Sequence, residues 1–292
     1  MTGRGPGLIC LSVDAIALSD GRRVDLGELA SGGSKNETRF GQLGQRRVVV
    51  KIQHAHGRLT DEERALQFLA AHSVHVPQVV GSGVTPEGHQ FLVISREDGV
   101  RTATPEGWIR FGRALAALLD VPVSGCPFPC VTTAEFIADH RERLDLVRPL
   151  VTNDLADEIA HAITQVAGVD QLVVTHGDPG SGNYLDDGTG DGTLLDWETA
   201  SVSPFGLDLG RASFIGLLDL WRTGIPDQLV AAFSHGYVGR SPRAQMSAEL
   251  LRAWITVGGL QFIHGRLIQP LLPERTPQVA ARVLEVYLES AR

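Results

Sequence analysis

The chain reads as an α+β protein in two lobes, an antiparallel β-sheet with one helix followed by a mainly α-helical part, and three observations lead there. Short apolar runs separated by Gly- and Asp-bearing turns fill residues 8–95, interrupted by a single helical stretch. From Thr104 onward the apolar spacing becomes helical, and strand-like runs return only near residues 171–198. A length of 292 residues suffices for two modest lobes sharing one cleft.

Residues 8–30 read as strands about a tight turn at Ser19-Asp20-Gly21. LASGGSKNETRF follows, then a turn near Gly44-Gln45 and the strand RRVVVKIQ. A Gly-Gly-Ser turn between strands lets backbone N–H groups approach a polyphosphate without Cβ interference, although hairpins use such glycines freely and no Walker-type loop is present. Lys51, at the end of VVVK, is more specific. The chain uses 24 arginines and only two lysines, so a lysine here selects a compact ammonium over a planar fork. In the helix LTDEERALQFLAAHSVHVP, Thr60 and Glu63 have capping-box spacing. Glu62 shares a face with Leu66 and Leu69, points inward, and needs a cationic partner, for which Lys51 is placed. PQVVGSG and HQFLVIS supply the last strands of the sheet, and the pattern breaks at Ser95-Arg96-Glu97-Asp98-Gly99.

A helix is expected from Thr104 through Leu119, another from the Thr132/Glu135 capping box to about Arg148, and a third over roughly 154–167. The third leads into the stretch that concentrates the chemistry: an apolar strand QLVV, the loop THGDPGSGN, a Gly/Asp-rich hairpin, and LLDWE. Asp178, Asn183 and Asp196 stand out there. Asn183 and Asp196 offer the hard oxygen ligands that Mg²⁺ prefers. Asp178 can then accept, or orient, a hydroxyl proton for in-line attack on phosphorus. Singly, each is an ordinary turn former, as are Asp186 and Asp187; the ordered set between two apolar strands carries the signal. His176 reads as a structural member of the loop. After Glu198 a turn leads to a helix beginning near Asp208, and helices over about 226–238, 246–268 and 275–291 finish the chain, with His264 and Arg266 as core or rim residues.

Composition limits the classes. The net charge is −8, which argues against nucleic acid, and no apolar run approaches the ~20 residues of a membrane span. The N-terminus lacks the pattern of a secretory signal, and three cysteines suit a reducing cytoplasm, so a cytoplasmic location is expected. Cys126 and Cys130 in CPFPC lack the second ligand pair of a zinc site, as do His54 and His56. Charge is uneven: residues 1–130 balance at +1 and residues 131–292 at −9, an excess that either aids solubility or draws a cationic substrate toward a cleft.

His176-Gly177-Asp178, Asn183 and Asp196-Trp197-Glu198 resemble, position for position, the catalytic and metal loops of the aminoglycoside phosphotransferase and choline-kinase-like families. DVPVSGCPF resembles a further segment of the aminoglycoside phosphotransferases, though Leu119 stands where those often have His. SVSPFGLDLGRASFIGLL resembles their GDPAYDLA turn, with Asp208 propping the catalytic loop. The resemblance implies a protein-kinase-like fold, with a nucleotide-binding lobe over 1–96 and a catalytic and substrate-binding lobe over 97–292. It also implies a γ-phosphoryl transfer from ATP or GTP to a small-molecule hydroxyl. Lys51, held by Glu62, would align the phosphates; Ser34, and less so Lys35, would touch the β-phosphate; Ser95 and Glu97 would read the nucleobase through main-chain atoms; Asn183 and Asp196 would hold Mg²⁺; Asp178 would be catalytic. No activation segment with an APE-like end follows Trp197, which disfavours a polypeptide substrate. The CPF segment and the acidic second half point to an antibiotic acceptor, a cationic aminoglycoside or basic peptide, in a resistance or self-protection role. The alternatives are a metabolic kinase for choline, homoserine or a sugar, a kinase for a nucleoside antibiotic, and a nucleotide-binding pseudokinase.

Overall fold

Six antiparallel strands form one curled sheet in the order β1-β2-β3-β4-β6-β5 in the computed structural model, which describes residues 14–30, 36–53, 58–190, 192–223, 228–268 and 276–290. The strands are β1 (Ala15–Ala17), β2 (Arg23–Leu29), β3 (Asn36–Leu43), β4 (Arg46–Gln53), β5 (Val79–Val84) and β6 (Gln90–Ser95). Alternation along β4 decides what each face does, because successive side chains point to opposite sides. Val48, Val50 and Ile52 pack with Ile16, Val24, Phe91 and Val93 on one face. Val49 and Lys51 therefore face the cleft. Turns at Gly21 (φ 84°) and Gly44 (φ 59°) close the first two expected hairpins.

Helix α1 (Leu59–Ala70) packs Leu59, Ala65, Leu66 and Leu69 into the core that also holds Leu92 and Ile94 of β6. Its start corrects the sequence expectation. Arg58, not Thr60, is the N-cap, and no side chain caps the helix. Thr60 already lies inside the first turn, and the Glu63 carboxylate instead accepts from the Ser82 hydroxyl of β5 at 3.1 Å. The spacing of a capping box is met there, but one that starts inside the helix has no cap to make.

Helix α2 (Pro105–Ala116) begins at Thr104, whose hydroxyl accepts from the Gly107 N–H, and ends before Leu119 in a 3₁₀ turn over Ala117–Asp120. The Thr132/Glu135 capping box is present at the head of α3 (Thr133–Val147), and α4 (Asn153–Val166) follows. Then come β7 (Leu172–Thr175), the short hairpin β8 (Tyr184–Leu185) and β9 (Thr193–Leu194), and β10 (Ser201–Pro204), which pairs antiparallel with β7. The last elements are α5 (Leu207–Thr223), α6 (Gln228–Arg240), α7 (Ala248–Ile268) and α8 (Pro277–Ser290). Helices α5 and α7 cross where Gly210 meets the Trp254 carbonyl and Gly258 meets the Gly210 carbonyl; a Cβ at Gly258 would lie 2.8 Å from that oxygen.

Asp186 does more than turn the chain. Its backbone exchanges hydrogen bonds with Val100 at 2.8 and 3.0 Å, and its carboxylate takes a bidentate bond from Arg110 at 2.7 Å. The segment between the sheet and α2 is thereby tied to β8. Among the described residues, no helix is long and apolar enough to cross a membrane.

Candidate active site

The loop after β7 is held from below by α5. The backbone N–H groups of His176 and Gly177 donate to the two carboxylate oxygens of Asp208 at 2.6 and 3.0 Å. Asp208 is fully buried, and burial pushes its carboxyl above the usual range against the pull of His176 and of those two N–H groups. Gly177 has φ 82°, and a Cβ there would stand 2.2 Å from the Thr199 carbonyl oxygen, so only glycine fits. The His176 ring accepts from the Asp178 N–H on Nδ1 (3.3 Å), which leaves Nε2 to donate to the Leu195 carbonyl (2.8 Å). Its ring lies 4.5 Å from that of Trp197. His176 thus braces the loop against the segment after β9 that bears Asp196, the structural part the sequence led us to expect.

Asp178 emerges above this platform half-exposed, with one carboxylate oxygen bonded to the Arg211 guanidinium at 2.7 Å. Asn183 ends a 3₁₀ turn, and its amide nitrogen donates to the Asp178 carbonyl at 3.0 Å, which frees the amide oxygen for another partner. Asp196 has φ 65°, an unusual backbone state for a residue other than glycine and one that is kept where side-chain direction matters. Its carboxylate accepts from the Lys51 ammonium at 2.9 Å, while Glu62 holds the same ammonium at 2.6 Å. Burial works against the Lys51 charge, but the two carboxylates outweigh it and raise the group above its ordinary value. Burial raises the Glu62 carboxyl, with Lys51 pulling the other way. One Glu62 oxygen has no partner among the described residues, so Lys51 is what stabilises this buried acid.

Lys51, Asp178, Asn183, Asp196, Ser95 and Glu97 all line one cavity of about 460 Å³, and Glu62 stands behind Lys51. Apolar walls come from Val49 and Ile94 on the sheet side and from Leu185 and Leu195 opposite. The Ser95 N–H is already given to Gln78, and its hydroxyl donates to the Glu97 carboxylate. Ser95 and Glu97 thus enter the cavity wall already bonded to each other. Ser34 and Lys35 lie outside the described residues.

Three further features were not anticipated. Arg211 pairs with Asp178, and its signal was a lone cation one helical turn after Asp208. Asn36, the first residue of β3, donates to Glu198 at 3.4 Å, joining that strand to the segment that carries Asp196. Arg96 lies over the Phe40 ring at 4.0 Å, and both line the cavity. Neither of the last two has any local sequence signature.

A model of the phosphotransferase enzyme family (APH) matches residues 27–247. No curated protein matches the sequence significantly. Among solved structures, aminoglycoside phosphotransferase APH(4)-Ia aligns with a TM-score of 0.68 at 17% identity, over 92% of this chain and 95% of that one. A thermostable mutant of it, in ternary complex with AMP-PNP and hygromycin B, gives 0.66 at 16% identity over 91% and 94%. A macrolide 2'-phosphotransferase type I gives 0.61 at 20% over 89% and 90%. A choline/ethanolamine kinase family protein from Mesorhizobium loti gives 0.63 at 21% over 90% and 88%. These likenesses carry the fold, which is the two-lobed kinase-like architecture expected from the sequence.

Proposed function

The chain belongs to the phosphotransferase enzyme family, and from that premise we propose that it moves the γ-phosphoryl group of ATP or GTP to a hydroxyl of a small molecule. The observation that carries this reading is the convergence of Lys51, Asp178, Asn183 and Asp196 on one cavity. Residues 1–96 would form the nucleotide lobe and residues 97–292 the catalytic and acceptor lobe. The base would slide between Val49, Ile94, Leu185 and Leu195, with its edge against the Ser95 carbonyl and the Glu97 backbone. Lys51 would bind the α- and β-phosphates, kept in line by Glu62, and Ser34 would reach the β-phosphate.

The residues present fit Mg²⁺: the Asn183 amide turns its oxygen outward by donating through nitrogen, and Asp196 brings a carboxylate on a backbone shaped to aim it. When bound, the ion would offset charge on the phosphate oxygens. The chain's own part in the chemistry is positioning. Asp178 accepts the acceptor's hydroxyl proton as that oxygen bonds to the γ-phosphorus, while the bond to the bridging oxygen breaks and the nucleoside diphosphate leaves.

An antibiotic is the acceptor we favour, an aminoglycoside or basic peptide; this is supported by the CPF segment and by the fold shared with aminoglycoside and macrolide phosphotransferases. The likeness to a choline/ethanolamine kinase family protein supports a second reading, an amino-alcohol kinase. Mass spectrometry after incubation with Mg²⁺, ATP or GTP, and a panel of aminoglycosides, macrolides, basic peptides, nucleoside antibiotics and choline tests both. A gain of one phosphate on an antibiotic is expected; choline phosphorylated with no antibiotic touched would overturn the preference. In Asp178→Asn we expect turnover to fall by about 10²- to 10⁴-fold with nucleotide affinity kept within a few-fold. Turnover at the wild-type rate in that variant would refute the role given to Asp178.

A further inference from the structure

Helix α5 runs alongside the catalytic loop and meets it at four successive places. Asp208 takes the His176 and Gly177 N–H groups, Arg211 takes the Asp178 carboxylate, Ile215 packs over Gly180 and Asp219 accepts from the Ser181 hydroxyl at 3.3 Å. These α5 positions are spaced by three, four and four residues, so they form one stripe on a helix. The loop lies along that stripe in order, residue against residue. Only one of the four contacts reaches the group proposed to handle the acceptor proton, and that is Arg211.

We propose that Arg211 is the positioning residue for this phosphotransfer: it pins one oxygen of Asp178 and so presents the other to the acceptor hydroxyl. The inference rests on the reading of Asp178 given above. Several observations favour orientation over mere stability. The bond is 2.7 Å long and charge-assisted, yet its carboxylate side is 43% exposed, a setting in which ion pairs contribute little to folding. The Arg211 Nε is buried and has no hydrogen-bond partner among the described residues, so the fold tolerates a lost bond to place the far end of the guanidinium. The base of the side chain is fixed as well, because Gly258 of α7 packs so close that a Cβ there would lie 2.9 Å from the Arg211 Cα. A planar fork on a fixed stem holds a carboxylate at a set angle, which a lysine does less well.

The test uses the full-length protein with Mg²⁺ and ATP, read as phosphate release with water in the acceptor's place, alongside nucleotide affinity by calorimetry and stability in urea. Arg211→Met keeps the stem and removes the bond; kcat should fall about 10- to 100-fold with nucleotide affinity and urea midpoint nearly unchanged. Arg211→Lys should recover part of the loss. In an Asp178→Asn background, Arg211→Met should remove less than about a further twofold, because the contact it serves is already gone. Unchanged kcat in Arg211→Met, or losses that multiply in the double variant, overturn the proposal while leaving the assignment of Asp178 standing. Phosphate release by the wild type no faster than by Asp178→Asn would instead overturn that assignment, and this proposal with it.

Discussion

At the scale of single residues, the site is a set of charges that are costly to place and are held by specific partners. Lys51 is gripped by Glu62 and Asp196 together, an arrangement that a solvated surface lysine would not show. That Lys51 and Glu62 could be paired from sequence follows from scarcity and period: a rare lysine on a strand, and an acid among leucines on the next helix. Arg211 was hidden by the opposite circumstance, since one arginine among 24, even a helical turn after Asp208, does not name its partner. A different buried group makes a pH prediction. The His140 ring is 1% exposed, stacks on Phe136 at 3.8 Å and bonds the Phe136 carbonyl through Nδ1. Burial pulls it down to about 4 from 6.5, with Arg143 and His264 adding to the pull and the Phe136 carbonyl and Asp139 opposing it. Folding therefore releases a proton between those values, and the stability is present above the unfolded value and lost as pH falls toward 4. The loss should reach about 3 kcal/mol at most. Urea midpoints at pH 7 and pH 4.5 should draw closer together in His140→Leu than in the wild type; an equal gap in both would show that this imidazole is not the cause.

At the scale of elements, periodicity was a good guide to helices and strands and a poorer guide to their ends. The helices expected over 154–167, 226–238, 246–268 and 275–291 correspond to α4, α6, α7 and α8, with ends that agree to within two residues where the described residues reach past them. The Thr60/Glu63 box failed because a cap depends on where the backbone leaves the helix, which local spacing does not report. Packing between helices was invisible in the same way. Gly258 looked like an ordinary residue in an apolar helix, yet it lets α7 touch the backbone of α5. Gly258→Ala should push the two helices apart and destabilise the fold by about 1–3 kcal/mol. Because α5 carries Asp208 and Arg211, kcat should fall as well. Urea unfolding with kcat measured on the same preparation would check both, and a variant with native stability and native kcat would contradict this account of the crossing.

At the scale of the molecule, the polar ties between the two lobes among the described residues include Lys51 to Asp196, Asn36 to Glu198, Arg47 to Asp98 and the Leu194 N–H to the His75 carbonyl. A nucleotide in the cavity would add contacts to both lobes at once. At 100 times its dissociation constant, bound nucleotide should add about 2.7 kcal/mol to unfolding, or roughly 5–10 °C in midpoint. Asp196→Ala should abolish the part of that shift that depends on Mg²⁺, as melting curves with and without the ion would reveal; a full Mg²⁺-dependent shift in the variant would remove Asp196 from the metal site. Two-lobed organisation was legible because a run of strands followed by a run of helices leaves few architectures open. The field around the cleft was less so. The acid excess of residues 131–292 lies largely on exposed faces, with Asp139, Glu142 and Asp145 on α3 and Asp154 and Asp157 on α4. The cavity itself is nearly balanced, with Glu97, Asp178, Asp196 and Glu198 against Lys51, Arg96 and Arg101.

The side-by-side register of the loop and α5 also sets which insertions the chain can tolerate. One residue added between Asp178 and Gly180 would advance the later contacts by a notch, leaving Gly180 and Ser181 opposite the wrong rungs of the helix in place of Ile215 and Asp219. The tip at Asp187–Gly190, where Asp187 merely closes its own turn, can lengthen without disturbing anything beyond it. Within twenty residues, the chain thus holds one segment whose length is as constrained as its chemistry and another that is free to drift.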